Sequence, residues 1–169
     1  RVMCGDSTKS KDVKKLMGGG TADMVFTSPP YWVGFEYENE KDKTGILSHI
    51  NDICSILTKI TRRVIINTGN IASISTAEKI TGRKQPALLI DWWVEAMNRH
   101  NFMLRHIRIW AKAGGVTPSR ANDKIDMHWE YIGQFTDENE TAGFISTFNA
   151  ADMKSFQNKG TAVWAVKGV

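Results

Sequence analysis

Two consecutive prolines set directly after an apolar strand pattern constrain this chain more than any other feature. Asp23-Met24-Val25-Phe26-Thr27 reads as a β-strand with a continuous apolar centre, the pattern of a strand covered on both faces. Pro29 and Pro30 follow at once. Neither can donate to a ladder, and each ring keeps the residue before it out of helical geometry. The chain must therefore leave the sheet at Ser28 in a stiff turn. In an open α/β sheet that is where ligands bind, outside the carboxyl ends of the strands.

The rest of the chain supplies such a sheet. Arg1-Val2-Met3-Cys4 predicts a short strand ending at Gly5-Asp6, and Ser10 predicts the cap of a helix carrying Val13, Leu16 and Met17. Gly18-Gly19-Gly20 would stop that helix. Ile46, Ile50, Ile53, Leu57 and Ile60 recur in steps of four and three, as on one face of a helix. Val64-Ile65-Ile66 predicts a further strand ending at Asn67-Thr68-Gly69-Asn70, followed by a polar loop. Pro86 would open a second long helix running through Leu89, Trp92, Trp93 and Ala96 to about His100, with both tryptophans as packing residues. Strands are expected over Leu104 to Ala111, Glu130 to Phe135 and Ala162 to Val166. This alternation predicts an α/β sheet, mostly parallel at its start and antiparallel at one edge, in a single domain over residues 1–169.

The bulk numbers exclude more than they assign. The 169 residues are 41% hydrophobic and 24% charged, enough for one domain with its own core. No apolar run approaches the roughly 18 residues of a membrane span, and no signal-peptide pattern is present. Cys4 and Cys54 make no disulfide framework, so a reducing cytoplasm is the expected compartment. His49, His100, His106 and His128 have no ligand spacing, and no metal is expected. A net charge of +4 and a pI near 9.1 permit a polyanionic partner without requiring one.

At the proline turn, the Ser28 hydroxyl and the Pro29 carbonyl are hydrogen-bond acceptors, and Tyr31 and Trp32 offer flat faces. A rigid loop with two half-buried aromatics would account for the same residues. Asp6 could face a ligand or merely cap a turn. Trp129 and Tyr131 could line a pocket or pack in a core. Lys112, Arg120 and Lys124 lie in a Gly/Pro/Ser-containing stretch suited to phosphate contacts or simply to solvent.

Asp23 to Trp32 resembles the amino-methyltransferase family of DNA-modifying enzymes, whose catalytic motif is Asp/Asn/Ser-Pro-Pro-Tyr/Phe/Trp after a strand. The order of the pieces is similar to the class in which the catalytic half precedes the cofactor half. Softer matches are the strand end at Asn67-Thr68-Gly69-Asn70, Ile109-Trp110-Ala111-Lys112, and His128-Trp129-Glu130-Tyr131. The resemblance implies a Rossmann-like S-adenosylmethionine-dependent methyltransferase fold. It implies DNA as the partner, in a restriction-modification setting. Ser28, Pro29, Pro30 and Tyr31 would form the catalytic turn, and Asp6, Thr27 and Ser28 would face the cofactor. Tyr31, Trp32, Trp129 and Tyr131 would meet a flipped base, with Lys112, Arg120 and Lys124 on the DNA. Ser28 and the Pro29 carbonyl would hold the hydrogens of an exocyclic amino group so that its lone pair localises, with no covalent enzyme intermediate. Serine at the first position leans toward cytosine N4 over adenine N6. Residues 137–160, with Phe144, Phe148 and Phe156, would be a short target-recognition or irregular segment.

One family element has no counterpart. The family's cofactor motif is a strand followed by a Phe-x-Gly-x-Gly turn; Gly18-Gly19-Gly20 and Gly114-Gly115 stand in no such turn. In the family's sheet two further strands separate the strand before Asp6 from the strand before Ser28, so a gap beside the latter is expected. A continuing chain, a second chain such as that of a homodimer, or a rearrangement would fill it. The competing reading is a non-catalytic nucleic-acid- or partner-binding domain that keeps the fold. Transfer to RNA or to a protein amide is a third.

Overall fold

The structure is a computed structural model that describes residues 2–32, 42–71, 74–111 and 129–140. Helix α1 spans Ser10–Met17, β1 Val25–Thr27, α2 Lys43–Ile60 and β2 Arg63–Thr68. Then come β3 Asn70–Ile71, α3 Ile74–Thr81, β4 Ala87–Leu88, α4 Leu89–Arg99, β5 Phe102–Ala111 and β6 Trp129–Asp137. The main sheet has the order β1-β2-β6-β5, and β3 and β4 form a separate antiparallel pair. β1 and β2 are parallel, the expected parallel start, while β6 and β5 make an antiparallel edge two strands wide.

Helix α2 forms where the apolar spacing predicts. Asp42 caps it by accepting from the Gly45 amide at 2.8 Å, and extended backbone at Thr61 ends it. Ile46, Ile50, Ile53, Cys54 and Leu57 enter one core with Val64 and Ile66 of β2, Phe135 of β6, and Leu89, Ile90, Trp93 and Met97 of α4. Alternation along β2 sends Val64, Ile66 and Thr68 to this helix-covered face and Ile65 and Asn67 to the other. Gly133 of β6 lets α4 approach: a Cβ there would stand 2.9 Å from Ile90 Cδ1 and 2.8 Å from Phe135 Cε2.

Five local expectations are corrected. Residues 2–4 form no strand, because among the described residues nothing pairs with them, and Val2 is fully exposed. Lys9, not Ser10, occupies the N-cap of α1 and makes no side-chain cap; Gly18 closes the helix in left-handed geometry as expected. β1 is not covered on both faces, since Phe26 is 61% and Met24 47% exposed. β2 is its one strand neighbour among the described residues. The expected polar loop after β2 instead folds as β3 and α3, with Ala77 and Ile80 buried, and Pro86 precedes β4 rather than opening α4. The predicted strand over 162–166 lies outside the described residues. No described helix is long and apolar enough to cross a membrane.

Candidate active site

The carboxyl ends of β1 and β2 open on the same side because the strands are parallel, and β6 enters there because it runs the other way. Thr68 of β2 is paired with Tyr131 of β6, and the chain leaves β1 through Thr27 and Ser28. Pro29 is buried, Pro30 and Tyr31 are half-buried, and Ser28 is exposed. The turn is thus anchored at its proline and open at its hydroxyl.

Four side chains converge beyond it. Ser28 Oγ lies 2.9 Å from Tyr31 Oη, and Tyr31 Oη donates to Glu130 Oε2 at 3.1 Å. Asn67 Nδ2 donates to Tyr31 Oη at 2.9 Å and to Glu130 Oε2 at 2.7 Å. Asn67 is 6% and Glu130 7% exposed, so these polar groups are nearly dehydrated and depend on one another. Burial pushes the Tyr31 phenol up to about 12; the Glu130 charge and hydrogen bond add to this, and the Ser28 and Asn67 bonds oppose it. The phenol is therefore neutral, a donor to Glu130 and an acceptor from Asn67. Gly69 makes room for its ring. The buried Asn67 Oδ1 has no hydrogen-bond partner among the described residues.

Of the residues expected at a site, Ser28, Pro29, Pro30 and Tyr31 come together. Trp32 does not offer a stacking face. It is 2% exposed, sits in the core and meets the His49 ring edge-on at 5.8 Å between centroids. The turn that frees Tyr31 rotates the next residue inward, at a φ of 53°. Trp129 and Tyr131 form an edge-to-face pair at 4.8 Å, and alternation along β6 directs them to the face opposite Glu130, where Tyr131 packs on the core. Thr27 is the half-buried last residue of β1. The Asp6 carboxylate is engaged locally: Oδ1 accepts from Thr8 N at 2.9 Å and Thr8 Oγ1 at 2.6 Å, and Lys9 Nζ is 3.4 Å from Oδ2. The Thr8 bonds, chiefly, hold its acid below the usual carboxylate range. Lys112, Arg120, Lys124 and residues 141–160 lie outside the described residues.

Asn67 and Glu130 are the members that sequence reasoning did not assign. The usable signal was a lone carboxylate between two aromatics in a strand, since a buried acid needs donors. A cleft of about 400 Å³ lined by Asp23, Lys59, Arg63, Asp137 and Glu140 lies at the opposite end of the sheet. No described group of His, Cys, Asp or Glu could hold a metal ion.

The chain matches the DNA methylase family over residues 22–166. It is 27% identical over 128 residues to the type II methyltransferase M.SfiI of Streptomyces fimbriatus, a stretch covering 65% of this chain and 30% of that protein. TTHA0409 of Thermus thermophilus, designated a DNA modification methylase, superposes in its complex with S-adenosyl-L-methionine at a TM-score of 0.60 and 18% identity. That match covers 95% of this chain and 63% of TTHA0409, and a second structure of the same protein gives 0.56. The likeness shows the methyltransferase fold. The chain spans less than two thirds of the length of either relative.

Proposed function

The chain belongs to the DNA methylase family, and on that premise we propose that it transfers a methyl group from S-adenosylmethionine to an exocyclic amino group of a DNA base. The single observation carrying this reading is the exposed Ser28 hydroxyl at the strand end, tied at 2.9 Å to a tyrosine that Asn67 and Glu130 hold in place. Bound there, the cofactor would supply an electrophilic methyl group on a sulfonium. The residues fit it in part: Thr27 and Ser28 end β1 on the open side, and Asp6 keeps an accessible carboxylate edge. Glycine-rich backbone for the rest of the cofactor is not supplied by the described residues.

Ser28 Oγ and the Pro29 carbonyl accept the hydrogens of the amino group, which localises its lone pair for in-line attack. An amino group inside a duplex is out of reach, so the base is flipped out and stacks on the Tyr31 ring. Trp32 has no part in that stack. Serine at the head of the turn favours cytosine N4 over adenine N6 as the target. Lys112, Arg120 and Lys124 contact phosphates, and residues 137–160 contribute to target choice.

The test is incubation of the intact protein with tritiated S-adenosylmethionine and DNA, followed by chromatography of the nucleosides. Label in N4-methylcytosine that is lost in Ser28→Ala and Tyr31→Ala is the expected result. Label at adenine N6 corrects the base alone. Undiminished label in both variants sinks the site. A wild-type protein that binds DNA but neither binds cofactor nor transfers label is a DNA-binding domain on the same fold.

A further inference from the structure

Counting protons around Tyr31 gives its hydrogen-bond chain a direction. The phenol oxygen has one proton to give, and Ser28 Oγ, Glu130 Oε2 and Asn67 Nδ2 stand around it. A carboxylate only accepts, and an amide nitrogen only donates. The phenol proton therefore goes to Glu130. The two hydrogens of Asn67 Nδ2 go to the phenol oxygen and to the same carboxylate oxygen. With its proton committed, Tyr31 meets Ser28 as an acceptor, so the Ser28 hydroxyl is the donor. The chain runs Ser28 Oγ–H to Tyr31 Oη–H to the Glu130 carboxylate, from an exposed end to one that is nearly dehydrated.

We infer that Ser28, Tyr31 and Glu130 form a proton-release chain for methyl transfer, with Glu130 its terminal acceptor and Asn67 the residue that keeps phenol and carboxylate in line. The inference rests on the preceding reading, that an exocyclic amino group accepts the methyl. When the nitrogen–carbon bond forms, the carbon–sulfur bond breaks and its electron pair stays on sulfur. The nitrogen is left with a positive charge and one proton in excess. It gives that proton to Ser28 Oγ, Ser28 passes its own to Tyr31 Oη, and Tyr31 passes its own to Glu130, which ends neutral. After product leaves, the reverse path returns the proton through Ser28 to water. Ser28 and Tyr31 touch the substrate; Glu130 and Asn67 act through them.

Glu130→Gln tests this, because the amide keeps the size and an oxygen for the Tyr31 proton yet cannot take that proton up. The expected result is a fall in kcat of about 100-fold with KM for DNA unchanged. Wild-type kcat should fall in acid as Glu130 protonates, and the variant should lack that limb. Among the described residues, the other charged or titratable groups on this face of the sheet are Tyr31, which stays neutral there, Arg63 of β2, and Arg105, His106 and Arg108 of β5. Tyr31→Phe should lose a similar factor, and the double variant should be no slower than Tyr31→Phe alone. A readout without turnover is nuclear magnetic resonance titration of tyrosines labelled at Cζ, in which Tyr31 of Glu130→Gln should ionise at lower pH than in the wild type. Wild-type kcat and pH profile in Glu130→Gln overturn the relay while leaving the transfer reading intact. So does a loss confined to KM or matched by unfolding. A wild-type protein that transfers no methyl to DNA overturns both.

Discussion

A Cβ on residue 69 would stand 2.8 Å from Cδ2 and 3.1 Å from Cε2 of Tyr31, so the bare backbone of Gly69 is what lets that ring lie against the end of β2. The ring cannot yield easily, because its hydroxyl is held by Ser28, Asn67 and Glu130 at once. Gly69→Ala should therefore cost about 1–3 kcal/mol of stability through overpacking. It should also lower methyl transfer by more than the unfolded fraction accounts for. Urea unfolding beside a transfer assay checks this, and an alanine variant equal to wild type in both would show that Tyr31 has room to move.

Trp32 and Tyr31 are neighbours with opposite duties. Trp32 is buried in the core against His49, so Trp32→Ala should cost about 3–5 kcal/mol, as large aromatic truncations in cores do. DNA affinity per folded molecule should stay near wild type. Titration of a fluorescent duplex at a temperature where the variant is folded measures this. Weakened binding with unchanged stability would return Trp32 to the base pocket.

What could be read in the sequence follows from which forces are local. The spacing of Ile46, Ile50, Ile53 and Leu57 placed α2, because helical periodicity is carried within the segment itself. The prolines placed the turn at Ser28 for the same reason. Residues 2–4 and the covering of Phe26 were misread because a strand's state depends on partners elsewhere in the chain. β3 and α3 were missed because a buried Ala77 and Ile80 give a weak stripe amid Ser, Thr and Lys. Glu130 was given no site role because 99 residues separate it from Tyr31, and their meeting needs the antiparallel register of β6 on β2.

The two cysteines should differ sharply in reactivity. Cys4 is exposed, whereas Cys54 lies fully inside α2's packed face, where burial pushes its thiol up to about 12. The thiolate is the reactive form, so Cys54 should be inert in the native protein. A thiol-reactive dye at neutral pH should label one site quickly and the second only in denaturant. Rapid native labelling of both would mean that α2 opens readily from the core.

Alkaline stability follows from the same burial. Tyr31 ionises near 10.0 when unfolded and about 12 when folded, and Cys54 near 9.0 and about 12. In both the folded state keeps its proton longer, so above pH 9 the native protein binds more protons than the unfolded one. Stability must then fall as pH rises. The contribution is complete below pH 9, starts to go as unfolded Cys54 ionises, declines further from pH 10 with Tyr31, and is gone above 12. Tyr31→Phe should flatten the part of the decline that begins near pH 10, and Cys54→Ala the part that begins near pH 9. Urea midpoints measured from pH 7 to 11 check this. A midpoint for the wild type no steeper than that of the double variant would mean that neither group is dehydrated as the fold requires.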